Sequence, residues 1–106
     1  MIRKAFMMGI YPGREAEYKA RHNPIWADLE KTLKDHGVHT YTIFLNEETS
    51  QLFAYVEYKD EASWEAIAKT PVCKRWWKYM RELMPVNSDN SPVSKNLLEA
   101  FHFEAS

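Results

Sequence analysis

Cysteine, glycine and long apolar runs are all scarce in this sequence. The single cysteine, Cys73, excludes a disulfide within the chain and is compatible with a reducing compartment. Three glycines leave neither a phosphate-binding loop nor a dinucleotide-binding fingerprint. No segment approaches the roughly 20 apolar residues that a membrane helix requires, and the N-terminus lacks the apolar run and cleavage site of a signal peptide. We therefore expect a cytoplasmic protein with no membrane partner.

The chain also lacks an excess of charge of either sign. Fourteen Lys and Arg residues stand against fifteen Asp and Glu residues, which gives a net charge of −1. A nucleic-acid partner favours a clustered positive excess, so none is expected. The length of 106 residues predicts one domain, covering residues 1–106. A domain of this size buries about two-thirds of its unfolded surface, so its own core is modest.

Hydrophobic patterning predicts an alternation of strands and helices. β-Branched and aromatic residues concentrate in four predicted strands, at residues 2–11, 38–45, 52–58 and 97–104. Apolar residues at helical spacing predict the helices, which cover Tyr18 to Leu33, residues 60–69 and residues 70–84. This order, β-α-β-β-α-β with the second helix split, is that of an α+β ferredoxin-like fold. In that fold, helices cover one face of an antiparallel four-stranded sheet.

Prolines predict where helices begin. Pro24 interrupts the first helical pattern, so we interpret Asn23 as an N-cap and Pro24 as the first position of a restarted helix. Thr70 and Pro71 form the same pattern at the start of a later helix. The backbone beside His22 is therefore expected to be irregular, and such irregularity is frequent at functional sites.

The open face of the predicted sheet is expected to be covered. Apolar residues occur at both parities of the second strand, with Tyr41, Ile43 and Leu45 on one side and Val38 and Phe44 on the other. A half-exposed antiparallel strand alternates more cleanly than this. We therefore expect a second copy of the chain on the open face, which makes the protein a homodimer.

His22 is the strongest candidate for a catalytic side chain. Tyr18 lies one turn earlier on the same helix face, so the two side chains can meet. Imidazole titrates near neutral pH and can act as an acid or as a base without a metal. The alternative interpretation is a histidine that only satisfies its hydrogen bonds on a partly apolar face.

Trp76 and Trp77 are candidates for the wall of a binding site. Adjacent residues of a helix lie about 100° apart around its axis, so at most one of these indoles can point straight into the core. An indole offers apolar area and one N–H donor, which suits the C–H face and hydroxyls of a sugar. Tyr41 on the second strand could add a phenol to the same site. In the alternative interpretation, one indole is buried and the other lies along the side of the helix.

The remaining reactive residues are interpreted as structural. Nothing in the sequence near Cys73 would activate its thiol, so we expect it to be buried and inert. His36 and His39 have a spacing typical of metal ligands, but Gly37 between them is expected to end a helix, and their rings need not converge. No metal is expected.

Four segments of the chain together resemble the L-rhamnose mutarotase family. They are RKAF at residues 3–6, RHNPIW at 21–26, VCKRWWKYM at 72–80 and DNSPVS at 89–94. The resemblance implies a homodimeric ferredoxin-like protein, also described as a dimeric α/β barrel, that acts on L-rhamnose in the cytoplasm. It also implies roles for individual residues. His22 matches the family's proton donor, and the positions that match its sugar contacts are Tyr18, Tyr41, Trp76 and Trp77.

The activity that the resemblance implies suits a protein without a cofactor. Interconversion of sugar anomers opens and recloses the ring with two proton movements and involves no redox or group-transfer step. The second proton carrier stays open at this point, with Tyr18, an ordered water and a group of the partner subunit as the candidates. Two other functions also stay open, a cofactor-independent monooxygenase of the dimeric α/β-barrel type and a non-catalytic sugar-binding or regulatory module.

Overall fold

A computed structural model describes residues 1–105 as a sheet of four strands with helices packed on one face. The strands are β1 (Ile2–Gly9), β2 (Val38–Asn46), β3 (Gln51–Tyr58) and β4 (Lys95–Leu97). The helices are α1 (Glu15–Arg21), α2 (Ala27–Asp35), α3 (Glu61–Ile67) and α4 (Pro71–Met80). None of the helices within residues 1–105 is long and apolar enough to cross a membrane.

The strand order confirms the predicted α+β ferredoxin-like fold. The strands lie in the order β2-β3-β1-β4, and each neighbouring pair is antiparallel. The hairpin of β2 and β3 is therefore joined to β4 through the central strand β1. The two helical connections of the β-α-β-β-α-β order both lie on the same face of the sheet, where the core forms.

Strand register separates a covered face of the sheet from an open one. Leu52, Ala54 and Val56 of β3 point to the covered face and are at most 2% exposed. Leu52 and Ala54 pack with Met8 of β1 and with helical residues that include Tyr18. Cross-strand partners share a face, and Phe6, Ile43 and Leu45, which pair with Ala54 or Leu52, pack against the same core.

The open face carries a row of apolar side chains. Met7, Phe53 and Phe44 are cross-strand partners on β1, β3 and β2, so they lie side by side. Phe44 is 65% exposed, and Leu97 of β4 on the same face is 38% exposed. The prediction of an apolar residue on the open face of the second strand is confirmed for Phe44, whereas Val38 pairs across a register shift with the buried Tyr58 and so lies on the covered face.

The prediction that Asn23 caps a restarted helix at Pro24 is wrong. α2 begins at Ala27, and Trp26 holds the N-cap position without a side-chain capping bond. The Asn23 side chain instead donates to the Lys19 carbonyl oxygen of the preceding helix at 2.8 Å, and the Asn23–Pro24 peptide bond is cis. Asn23 therefore closes the end of α1. The predicted irregularity beside His22 is real, and it extends over residues 22–26.

The predicted last strand, residues 97–104, is also wrong. β4 covers only Lys95–Leu97, paired with Ala5–Met7 of β1, and residues 98–105 have no regular secondary structure. The apolar residues that suggested a strand, including Phe101, are exposed and lack a strand to pair with. A pattern of apolar residues predicts a strand only where the chain also provides a partner.

The start of α4 agrees with its sequence signal. The Thr70 hydroxyl accepts a hydrogen bond from the Cys73 amide at 3.3 Å, and Pro71 is the first helical residue. The helix ends at Met80 rather than near residue 84, because the chain continues in turns before Pro85. α4 therefore presents three turns across the sheet, and these turns carry both tryptophans of the predicted site.

Candidate active site

His22 lies at the C-terminal end of α1, where the helix stops. Its amide donates to the Lys19 carbonyl at 3.2 Å, so the Tyr18 carbonyl oxygen is left for another donor. The His22 Nδ1 atom fills that place at 2.8 Å. A carbonyl oxygen only accepts hydrogen bonds, so Nδ1 carries the proton and Nε2 has the free lone pair in the neutral ring.

The surroundings of His22 favour its neutral form. Partial burial lowers the pKa of the imidazole below its ordinary value, and the hydrogen bond to the Tyr18 carbonyl opposes this shift without overcoming it. At neutral pH the ring is therefore uncharged. Such a ring can accept a proton at Nε2 and return it as imidazolium, which is the behaviour required of a general base and its conjugate acid.

Aromatic side chains from two helices contact the His22 ring. The centroid of the Tyr18 ring lies 4.4 Å from that of His22 on α1, and the ring planes are tilted by 33°. Trp76 of α4 meets His22 edge-on, with centroids 5.1 Å apart and an angle of 87°. The imidazole therefore lies between a phenol and an indole. The predicted contact between Tyr18 and His22 is confirmed.

Tyr41 lies near this group on the sheet, where its ring centroid is 6.4 Å from that of Phe6 and 5.9 Å from that of Trp64. It faces the covered side, because its cross-strand partner Val56 is buried there, and 37% of its surface stays exposed. Burial raises the pKa of Tyr18 and of Tyr41, and the nearby Tyr41 phenol adds to the shift at Tyr18. Both phenols therefore remain protonated donors at physiological pH. Neither hydroxyl has a hydrogen-bond partner within residues 1–105, so a ligand can reach them without breaking a bond.

The two tryptophans of α4 occupy different places. Trp76 packs against the core beside His22. Trp77, about 100° further around the helix, lines a groove with Lys69, Lys74 and Asn90. The structure thus brings Tyr18, His22 and Trp76 into ring contact, with Tyr41 nearby on the sheet, and these four residues are called the aromatic site below. Trp77 lies on a different side of α4 from Trp76, and a contact between Trp77 and a sugar stays a prediction.

Trp26 is a residue of the site that sequence reasoning did not select. Its indole meets Trp76 edge-on, with ring centroids 5.1 Å apart and an interplanar angle of 86°. The same indole lies 5.2 Å from the Tyr79 ring. Trp26 therefore packs against the same indole, Trp76, that contacts His22. The available signal was its position four residues after His22, within the RHNPIW segment.

The residues interpreted as structural lie apart from this chemistry. Cys73 is buried, and burial raises the pKa of its thiol to about 11, so it is protonated and unreactive at neutral pH. The Nδ1 atom of His36 bonds to the Thr32 carbonyl oxygen at 2.7 Å. Within residues 1–105, no three His, Cys, Asp or Glu side chains come together as a metal-binding group.

The fold and the aromatic site define a small ferredoxin-like α+β domain that presents one imidazole among phenol and indole groups. The model of the L-rhamnose mutarotase family matches residues 3–103, and the chain belongs to that family. A relative from Opitutus terrae named L-rhamnose mutarotase is 61% identical over 104 residues, which cover 98% of this chain and 100% of the relative.

Solved structures agree with this assignment. The crystal structure of an L-rhamnose mutarotase from Formosa agariphila matches with a TM-score of 0.90 at 41% identity, covering 98% of this chain and 100% of that one. A putative antibiotic biosynthesis monooxygenase from Nitrosomonas europaea matches with a TM-score of 0.64 at 12% identity, covering 90% and 84% of the two chains. The second likeness concerns the fold alone.

Proposed function

We propose that this protein interconverts the α and β anomers of L-rhamnose and that His22 moves the proton. The substrate is the one named for its relatives. The observation that carries the mechanism is the hydrogen bond from His22 Nδ1 to the Tyr18 carbonyl, which leaves Nε2 as a base among aromatic side chains. Tyr18, Tyr41, Trp76 and Trp77 are the proposed sugar contacts.

The reaction needs two coordinated proton movements. Nε2 of His22 takes the proton from the anomeric hydroxyl, the bond between C1 and the ring oxygen breaks, and the ring oxygen takes a proton from a second carrier. Rotation about the C1–C2 bond then presents the other face of the aldehyde. In ring closure the hydroxyl that was the ring oxygen bonds to C1 and gives its proton back to the second carrier, while the imidazolium returns its proton to the aldehyde oxygen. His22 is therefore a proton acceptor in opening and a proton donor in closure.

The phenols suit binding and orientation. Because burial raises the pKa of both phenols, they are protonated at neutral pH and can donate hydrogen bonds to oxygen atoms of the sugar. Tyr18 is adjacent to His22 and is a candidate for the group that hydrogen-bonds the ring oxygen. A water molecule or a group of a partner subunit remains an alternative source of the second proton. The Trp76 indole offers an apolar surface to the C–H face of the sugar.

We also infer that the protein is a homodimer joined through the open sheet face. The row of Met7, Phe53 and Phe44 supports this inference, because contiguous apolar side chains on a surface are typical of an interaction site. Sedimentation of dilute protein tests it. A species of twice the 12.5 kDa chain mass is expected, and a stable, active monomer would contradict it.

A cytoplasmic location, without a nucleic-acid partner, completes the proposal. One buried cysteine and a balanced net charge of −1 support it. Fractionation of the source cells, with the protein detected by antibody, would test the location. Recovery of the protein outside the cytoplasmic fraction would contradict it.

Exchange NMR on equilibrated L-rhamnose tests the activity. The α-anomeric proton is saturated, and the loss of β-anomeric signal is measured with and without protein. A mutarotase transfers saturation between the two signals faster than buffer alone. A monooxygenase would instead consume oxygen, and a sugar-binding module would broaden or shift the signals without linking them. No transfer above the buffer rate would contradict the proposed function.

A further inference from the structure

We propose that Arg21 is a positioning residue that holds His22 against Trp76, an inference that rests on the proposed function. Arg21 is the last residue of α1 and precedes His22 directly. Its side chain reaches across to the end of α4, the helix that carries Trp76. It does not touch His22, so its effect on the reaction would be exerted through the geometry of the site.

Four contacts fix the Arg21 guanidinium. Nε donates to Glu17 of the same helix at 2.9 Å, and Nη1 donates to the Tyr79 carbonyl oxygen at 2.6 Å. Nη2 donates to Glu82 just beyond α4, and the guanidinium carbon lies 4.2 Å from the centre of the Tyr79 ring. The Arg21 side chain is only 10% exposed. An ion pair with this many partners is fixed in a way that an isolated surface pair is not.

The four Arg21 contacts, called the clamp below, join the same two helices that carry His22 and Trp76. Arg21 and His22 are consecutive, while Trp76 and Tyr79 are three residues apart on one face of α4, with ring centroids separated by 5.8 Å. The Arg21–Tyr79 contact and the His22–Trp76 contact therefore bridge α1 and α4 side by side. A shift of α1 along α4 that breaks the first contact also changes the second.

Arginine is suited to this position because its donors are arranged as a rigid fork. The Tyr79 carbonyl lies in the last turn of α4, where carbonyl oxygens lack intrahelical partners, and it accepts one of these donors. The other two donors meet carboxylates from different elements. A lysine ammonium has one point of charge and cannot satisfy the three acceptors in this geometry.

Arg21→Gln tests the proposal. A misplacement of about 1 Å can cost on the order of 10²-fold in rate, and we expect kcat for anomer exchange to fall at least about tenfold. KM should change by less than about threefold, since the phenols of the aromatic site remain in place. With the clamp lost, the His22 ring should become more hydrated. Its NMR titration should then move up, towards the ordinary histidine pKa.

Two further variants separate position from charge. Arg21→Gln removes a cation and leaves Glu82 without its partner, so Arg21→Gln/Glu82→Gln restores the charge balance. If position is the cause, the double variant stays slow. If it regains the native kcat, the effect was electrostatic and the proposal is overturned. Arg21→Lys keeps the charge and packing volume, and it should fold and have an intermediate kcat if the glutamine variants do not fold.

Arg75→Gln is the matched control. Arg75 also joins α4 to another helix, through Asp28 of α2 at 2.9 Å, but its side chain is 58% exposed. Its loss should leave kcat and the His22 titration unchanged. An equal fall in kcat for Arg75→Gln would show a general sensitivity of α4 and overturn the proposal, as would a folded Arg21→Gln with native kcat and titration. If the wild-type protein exchanges no anomers, the proposed function fails, and the His22 titration alone then decides whether Arg21 holds the ring.

Discussion

Replacement of His22 by glutamine separates proton transfer from structure. The glutamine side-chain amide can still donate to the Tyr18 carbonyl, the hydrogen bond that His22 Nδ1 makes at 2.8 Å. The substitution loses two ring contacts, with Tyr18 and with Trp76. Each aromatic pair contributes about 0.5–1.5 kcal/mol, so the free energy of unfolding should fall by about 1–3 kcal/mol.

That loss is too small to explain a large fall in activity. A domain with a stability of about 5–15 kcal/mol stays almost fully folded after a loss of this size. Removal of a general acid or base, in contrast, costs about 10²–10⁴-fold in rate. We therefore expect anomer exchange by His22→Gln to fall at least about 100-fold, while sugar affinity changes much less. Saturation transfer between the anomeric signals measures the rate, and circular dichroism checks the fold.

His36 provides the control for this experiment. Like His22, it follows a helix end, and its Nδ1 bonds to the carbonyl oxygen four residues earlier, at 2.7 Å. It lies outside the aromatic site, so His36→Gln should exchange anomers at the native rate. If His22→Gln is folded and also exchanges at close to the native rate, the assignment of proton transfer to His22 is refuted.

Three further predictions follow from the same contacts. The rate of anomer exchange should fall as pH drops through the His22 pKa, which burial lowers. The free energy of unfolding should also fall as pH drops below about 6.5, because His22 binds a proton more readily in the unfolded chain than in the folded one. Both contributions of His22 should be absent in His22→Gln. Trp76→Ala should weaken L-rhamnose binding more than Trp77→Ala, measured by titration of intrinsic fluorescence, and native affinity in both variants would place both indoles outside the site. Phe44→Glu should convert a dimer to monomers in sedimentation without loss of helical signal, and an unchanged dimer would exclude the open face as the interface.

Local signals in the sequence were sufficient for most of the fold. β-Branched and aromatic residues identified the segment of β3, although the pattern did not decide which of its two faces is buried. Thr70 and Pro71 marked the start of α4, because a cap is a contact between residues three apart. The pairing of Tyr18 with His22 is equally local, since residues four apart on a helix are neighbours.

The failures have two causes, a local hydrogen bond that the residue type does not reveal and contacts between distant parts of the chain. Asn23 was predicted as a cap because its type suits one, yet its side chain bonds back to Lys19. The predicted last strand lacked a partner beyond Ala5 of β1. Arg21 and Trp26 could not be selected from the sequence, because their roles rest on contacts with residues of α4 that lie 50 or more positions further along the chain. Periodicity carries no information on that contact.

A comparison of His22 with His36 shows what the tertiary structure adds to a local pattern. Both rings follow a helix end and bond to a carbonyl oxygen four residues earlier, so helix termination alone determines which nitrogen carries the proton. A neutral carbonyl partner also orients the ring without the full negative charge of a carboxylate, which would favour the imidazolium. Only at His22 do an indole from α4 and a phenol from α1 contact the ring. A histidine with the same tautomer but without those aromatic neighbours is therefore not expected to catalyse anomer exchange. A variant that removes both ring contacts and keeps the hydrogen bond, Tyr18→Ala/Trp76→Ala, should retain a titrating His22 and lose exchange.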